Sequence, residues 1–431
     1  MEAERRDPLK LEFESLPNGL RLVRQPSPVG SSTFSATYVG PAGWGFDPPG
    51  QAGLARLVNQ VMTSAAGAHD RVALARLLDR AGASLSHQSA PESGEATIWG
   101  PSSEWRRLLE ILADVILRPR FEPADIARAR RQIRERQLRE VGQPASRAER
   151  ELLHAIFPSH HPYSTTGLGS PVSTDRISRT DLVRFHRRHY SSGDAVVVVT
   201  GPARMPVIER VVRGLFREFT TARPPALSIP ASSHRGPTER TIPLPGRSQV
   251  EIRLGGRSIA RGAEEYHAAY LANEVLGGRP LLSRLFQRVR EERGLAYHAS
   301  SGLEAMRFGG YWFVQAGTGQ DRWRKVVPML RDEVLRLQRT SVESSELATI
   351  RESAIGEIPL ALESTAEAHE LAVDVAYHRL PPDYWARWPD TLRAVRPREV
   401  RDAAAEAIDG RSAVTVLAGP LSPDISRRSR R

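Results

Sequence analysis

The chain has 431 residues, 40% of them hydrophobic, with 61 basic against 50 acidic side chains and a net charge of +11. That length is comfortable for two domains of roughly 200 residues each, and the apolar content excludes wholesale disorder. There is no cysteine, so disulfides, thiolate metal sites and cysteine nucleophiles are excluded.

Nearly all of the basic residues are arginine, spread among acids, and no nucleic-acid-binding motif accompanies them. Nucleic acid is therefore not an expected partner, and runs such as 127–136 read as the solvated face of a helix. The start of the chain, Met1-Glu2-Ala3-Glu4-Arg5-Arg6-Asp7, is charged and has no apolar core behind it. No segment approaches the ~18 apolar residues of a spanning helix. The expectation is a soluble cytoplasmic protein with no membrane partner.

In chain order, the first half opens on strands near 20–23 and 31–39, then a helix at 53–62 and a second at 71–81. Strands at 84–89 and 95–100 follow, then helices at 105–116, 123–140 and 145–156 and a strand at 195–200. The stretch 223–238 carries four prolines and reads as a linker. Beyond it come a strand at 249–254, a helix at 264–276, strands at 297–303 and 310–316 and a helix at 323–338. The two halves repeat one order of elements. Leu57-Val58-Asn59-Gln60-Val61-Met62 pairs with Leu271-Ala272-Asn273-Glu274-Val275-Leu276 at equivalent places. Paired strands with inserted helices predict an α+β fold with largely antiparallel sheets. The expected domains are 1–222 and 239–425, joined by 223–238 and followed by a basic tail at 426–431.

Several segments look chemical and are read as structural. His154, His160, His161, His186 and His189 lack carboxylate neighbours or a shared face and are expected in surface or capping roles, as is His369. The glycines from Gly40 to Gly45 precede no G-K-[ST], so no phosphate cradle is expected.

Three blocks carry a family resemblance. Leu16-Pro17-Asn18-Gly19-Leu20 looks like an opening strand signature; His161-Pro162-Tyr163 with Gly167 and Gly169, followed by 181–190, looks like a mid-domain block. The third and longest is Leu282-Ser283-Arg284-Leu285-Phe286-Gln287-Arg288-Val289-Arg290-Glu291-Glu292-Arg293-Gly294-Leu295-Ala296-Tyr297. Together they resemble the M16 metallopeptidases, the pitrilysin, insulinase and mitochondrial-processing-peptidase group, in its bacterial two-repeat branch. The resemblance implies two homologous domains of the M16 / LuxS-like metallohydrolase fold.

It also marks what is missing. In that family an H-x-x-E-H helix carries two zinc ligands and the general base. The matching positions here are Arg56, Asn59 and Gln60, on one helical face. The third ligand, a glutamate, corresponds to Arg136 by counting back from Pro144, or to Glu135 one step away. The resemblance further implies that Arg290 and Tyr297 bind the substrate carbonyl across a shared active site, with Phe286 one turn before the arginine. The expected function is thus the zinc-free subunit of a heterodimeric peptidase, inactive alone. Zinc would reside in a partner carrying H-x-x-E-H, and no cofactor is expected in this chain. The substrate would be an unfolded peptide added to a sheet edge. The alternative is a catalytically dead scaffold or peptide-binding protein, possibly a homodimer.

Overall fold

The computed structural model describes residues 9–27, 31–221, 224–230, 236–291 and 294–421, with the side chains of 290 and 291 outside that description. The basic tail and part of the linker also lie outside it. The chain forms two compact units, each built on one sheet.

The first unit holds six strands: β1 (Glu12–Ser15), β2 (Arg21–Pro26), β3 (Thr33–Gly40), β4 (Ser84–Ser89), β5 (Gly94–Pro101) and β6 (Val196–Gly201). Their order is β1-β2-β6-β3-β5-β4. Every pair is antiparallel except β2 with β6. The run Val196-Val197-Val198-Val199 is buried throughout, as a β-branched run covered on both faces must be. On one face Leu22, Phe34, Tyr38, Ile98, Val197 and Val199 pack with the apolar stripes of helices Leu54–Met62, Trp105–Leu117 and Met205–Leu215. On the other, Val23, Val39, Val196 and Val198 meet Ala372 and Ala376 of helix Thr365–His378.

The second unit holds β7 (Thr238–Pro243), β8 (Gln249–Ser258), β9 (Ala296–Met306), β10 (Gly309–Gly319) and β11 (Val414–Gly419), in the order β7-β11-β8-β10-β9. Only β7 with β11 is parallel. Period-two alternation along β10 buries Trp312, Val314 and Ala316 and turns Tyr311 and Phe313 to the opposite face. There Ala148, Leu152, Leu153 and Ile156 of helix Pro144–Ile156 pack on Val414, Val416 and Ala418.

The α+β class with largely antiparallel sheets is as expected, but the units are not the contiguous spans 1–222 and 239–425. The first comprises the chain up to Gln137, Thr166–Ser228 and Ile358–Arg387; the second comprises Leu138–Thr165, Ile229–Glu357 and the chain from Trp388. The physical reason is coverage. Each sheet has a second apolar face, and the helix that covers it comes from the other half of the sequence. The repeat pairing of 57–62 with 271–276 does fall on the first helix of each sheet, although in the second unit helix Tyr266–Asn273 widens into a π-type turn over Glu274–Gly278.

Candidate functional site

Helix Leu54–Met62 is short and almost wholly buried, so its N-terminal N–H groups need internal partners. Asp47 supplies them. Its carboxylate accepts from the Gly53 and Ala55 amides, each at 2.7 Å. Burial pushes the Asp47 carboxyl up to about 7, against the amide hydrogen bonds and Arg56, which favour the ionised form. Gly53 adopts φ +99, and a side-chain carbon there would lie 2.9 Å from Thr174 Cγ2 and 3.1 Å from the Leu168 carbonyl oxygen. Asp47→Ala strips an acceptor from two buried amides. It should lower folding stability by about 1–3 kcal/mol, read from urea denaturation; an unchanged midpoint would refute this role.

The three side chains on the helix face that resembles a metal site are each committed elsewhere. Arg56 donates from Nη2 to the Thr166 carbonyl at 2.9 Å, and its guanidinium lies 5.3 Å from the centre of the Trp44 ring. Gly167, at φ +72, leaves room for that ring, since a side-chain carbon there would overlap it. Asn59 is fully buried and donates Nδ2 to the Gln88 carbonyl at 2.9 Å. Gln60 donates Nε2 to Gln132 Oε1 at 2.5 Å. Asn59 Oδ1 and Gln60 Oε1 are buried with no hydrogen-bond partner among the described residues.

The helix that would bring the third ligand runs Pro123–Gly142. The residue on it that meets Gln60 is Gln132, one turn before Arg136; Arg136 and Glu135 themselves are exposed. Counting from Pro144 did not single out Gln132. The only signal for it is that 132 and 136 share a helical face. His87, on edge strand β4, sits against the same site with Nδ1 at 3.3 Å from Thr63 Oγ1. Burial, then the positive charges of Arg136 and Arg56, pull the His87 pKa down to about 4, so its ring is neutral at pH 7.

These residues do not fit zinc. Such a centre takes imidazole or carboxylate donors, whereas this one offers a guanidinium and two amides already turned to other partners. Among the described residues no group of three or more His, Asp or Glu is placed to hold a metal ion.

In the second unit the long block folds as a π-type turn, Phe286–Glu291, leading into β9. Leu285 and Val289 are buried beneath it, Arg284 makes a two-pronged pair with Glu346 at 2.7 Å on each prong, and Arg288 pairs with Glu333. Phe286 is half-buried, and Arg290 lies on the turn with its side chain outside the described residues. Tyr297 is 66% exposed, at the second position of β9, an edge strand of its sheet. A large phenol kept in water at a sheet edge contributes little to a core.

The histidines correct the surface assignment. His161, His189 and His369 are buried. His161 does cap, accepting at Nδ1 from the Tyr163 amide at 3.1 Å. His369 bridges Thr37 and Thr200 at 2.8 and 2.7 Å. A cavity of about 810 Å³ opens on the first unit, its lining including Phe121, Val183 and Phe219 together with Arg179 and Arg187. The imidazole on its wall, His186, is spent on the Ile116 carbonyl at 2.8 Å.

Comparison with known proteins gives matches along most of the chain. Residues 31–170 match the family model described as insulinase (peptidase family M16), and residues 176–354 match the one described as the peptidase M16 inactive domain. An uncharacterized zinc protease of Mycobacterium tuberculosis is 27% identical over 354 residues, 82% of this chain and 80% of that protein. One of Streptomyces coelicolor is 24% identical over 434 residues, 94% and 89% of the two chains. The crystal structure of a peptidase M16 inactive domain from Pseudomonas fluorescens superposes with a TM-score of 0.90 at 22% identity, covering 96% of this chain and 98% of that one. A protease from Helicobacter pylori gives 0.87 at 17% identity, covering 95% and 99%. Among the described residues, no helix is long and apolar enough to cross a membrane.

Proposed function

The chain belongs to the M16 peptidase family, and on that premise we propose that it is the zinc-free subunit of a two-chain peptidase. One contrast carries the reading. Arg56, Asn59 and Gln60 stand where the family's metal and base residues would be, while Arg290 and Tyr297 stand in an intact second-domain block. A partner of the same family supplies the metal and the general base. This chain supplies hydrogen-bond donors. A guanidinium fork and a phenol stabilise a carbonyl oxygen as it gains negative charge, as an oxyanion hole does. Phe286, one turn before Arg290, offers an apolar surface to the peptide. The place of β9 at the end of its sheet supports recognition of an extended, unfolded substrate, because an edge strand can accept an added strand.

The purified chain is expected to hold no stoichiometric zinc and to cleave no peptide alone. Substituting Arg56→His, Asn59→Glu and Gln60→His together should not restore either property, because Gln132 and Arg136 still occupy the third-ligand helix. Elemental analysis paired with a quenched-peptide assay decides it. One tightly held zinc per chain, with activity lost on chelation, would overturn the proposal.

A further inference from the structure

We propose that the cavity of the first unit binds a small aryl phosphate monoester, an anionic head joined to an apolar ring, with the head taken by Arg179 and Arg187. This inference is independent of the partner reading. The lining comes only from segments of the first unit, within 116–121, 179–190 and 214–220, so the site is complete there. Its volume of about 810 Å³ falls within the roughly 300–1,000 Å³ usual for small-molecule sites. Helix Arg179–His189 contributes Arg179, Val183, His186 and Arg187, with Tyr190 just beyond its end. These stand at i, i+4, i+7, i+8 and i+11, the spacing of one helical face, so that helix presents a single side to the cavity.

The lining carries unbalanced charge. Four of its residues are arginines; Arg118 is paired with Asp114 and Arg217 with Glu218. Asp181, the one acid of helix Arg179–His189, is engaged by Ser178 and Arg184, and neither Arg179 nor Arg187 makes an ion pair among the described residues. Four cations against two carboxylates leave an excess of two positive charges (4 − 2). Arg179 is held by neutral groups: Nε donates to the Phe121 carbonyl at 3.0 Å and Nη2 to the Arg120 carbonyl at 3.3 Å. Those bonds fix the guanidinium without cancelling its charge, and they leave Nη1 to donate to a ligand. The Phe121 ring meets the His186 imidazole edge-on, centres 5.6 Å apart, and His186 immediately precedes Arg187. That imidazole donates to the Ile116 carbonyl and burial lowers its pKa to about 4, so at pH 7 it adds no charge.

The size of that excess selects the head group. A phosphate monoester carries about −1.5 to −2 charges at pH 7, a carboxylate roughly half as much, and guanidinium groups pair with phosphate oxygens in two-pronged fashion. The body follows from the buried part of the lining, where Phe121, Tyr190 and Phe219 are aromatic. Aromatic rings favour offset or edge-on contact with another ring over plain aliphatic packing. Gly214, also in the lining, leaves room for it, since a side-chain carbon built there would have nothing within 4 Å. A free anion would use only the arginines, and a neutral ring only the aromatic lining.

The test is isothermal titration of the full chain near pH 7 with naphthyl phosphate, naphthoate, naphthol and inorganic phosphate. Naphthyl phosphate should bind roughly 10-fold or more tightly than naphthol, the scale of a hydrogen bond to a charged group, with naphthoate between them. Arg187→Ala, at an exposed position, should remove that advantage while leaving naphthol binding and the melting temperature unchanged. Gly214→Trp, at an exposed helical position, should weaken naphthol and naphthyl phosphate alike by filling the cavity, again without loss of melting temperature. Equal binding of naphthyl phosphate and naphthol, or full affinity for the ester in either variant, would overturn the proposal. Inorganic phosphate binding as tightly as the ester would show an anion site with no place for a ring, which also overturns it. So would the absence of all binding.

Discussion

In a reconstituted pair, Tyr297→Phe and Arg290→Ala should each slow peptide turnover by roughly 10²–10³, the cost of removing one oxyanion donor. The loss should fall mainly on kcat, because the donors act on charge that develops only in the transition state. The surroundings of Tyr297 make the experiment clean. The phenol is 66% exposed at the start of an edge strand, so losing its hydroxyl removes no buried hydrogen bond and should leave folding intact. Arg290 sits on a turn anchored independently by Arg284 with Glu346 and Arg288 with Glu333, so its truncation should not release that turn. Assembly with the partner and zinc occupancy of the pair are the controls. Wild-type turnover in both variants would mean that this subunit merely supports its partner.

Acid should destabilise the chain through His369 well before its carboxylates titrate as a group. The ring is buried between Thr37 and Thr200, and Thr200 in turn donates to Gln25 at 2.9 Å. That chain of donors assigns Nδ1–H to Thr200 and leaves Nε2 accepting from Thr37, with no acid hydrogen-bonded to the ring among the described residues to balance a second proton. Burial drops the pKa from the ordinary 6.5 to about 4. Below 6.5 the unfolded chain therefore binds more protons than the folded one, and stability falls as pH falls toward 4, at up to about 1.4 kcal/mol per pH unit for one site. His186, half-buried and lowered to about 4 by desolvation, acts with the same sign. Asp47 acts in the opposite sense, since its raised carboxyl favours the folded state as pH drops through about 7. The informative quantity is thus the difference between wild type and His369→Gln. Urea denaturation between pH 7 and 4.5 should show a shallower loss of stability in the variant, by about one proton taken up on unfolding. Parallel curves would exclude the assignment.

Much of this was legible in the sequence, for identifiable reasons. Strong period-two and helical patterns gave the strands β2 to β6 and β8 to β10 and the helices from 54 to 156. The offset of 56, 59 and 60 sufficed to put three side chains on one helical face. The segment beyond 338, with helices Ser344–Ala361, Thr365–His378, Tyr384–Ala394 and Pro397–Ala407 and strand β11, went unread. Two of these helices, Ser344–Ala361 and Tyr384–Ala394, carry an interior proline, which blurs the pattern that marks a helix. Which sheet a helix serves was not legible at all. The apolar stripe of Pro144–Ile156 shows that it must be covered, and says nothing of where. Counting back from Pro144 gave Arg136 or Glu135, whereas the residue that meets Gln60 is Gln132, one helical turn earlier. His369 looked like a surface residue because its partners, Thr37 and Thr200, lie more than 160 positions away.

The helix that closes the second face of the first sheet has a consequence for how the protein is made. Strand β6 ends at Gly201 and helix Thr365–His378 begins 164 residues later (365 − 201). At ~5–20 residues per second on a ribosome, that interval is roughly ten to thirty seconds. During it the valine face of β2, β3 and β6 has left the exit tunnel without its cover. Translation speed across 202–364, and the supply of a chaperone that shields apolar strands, should therefore govern the yield of native protein more than any point substitution in the linker.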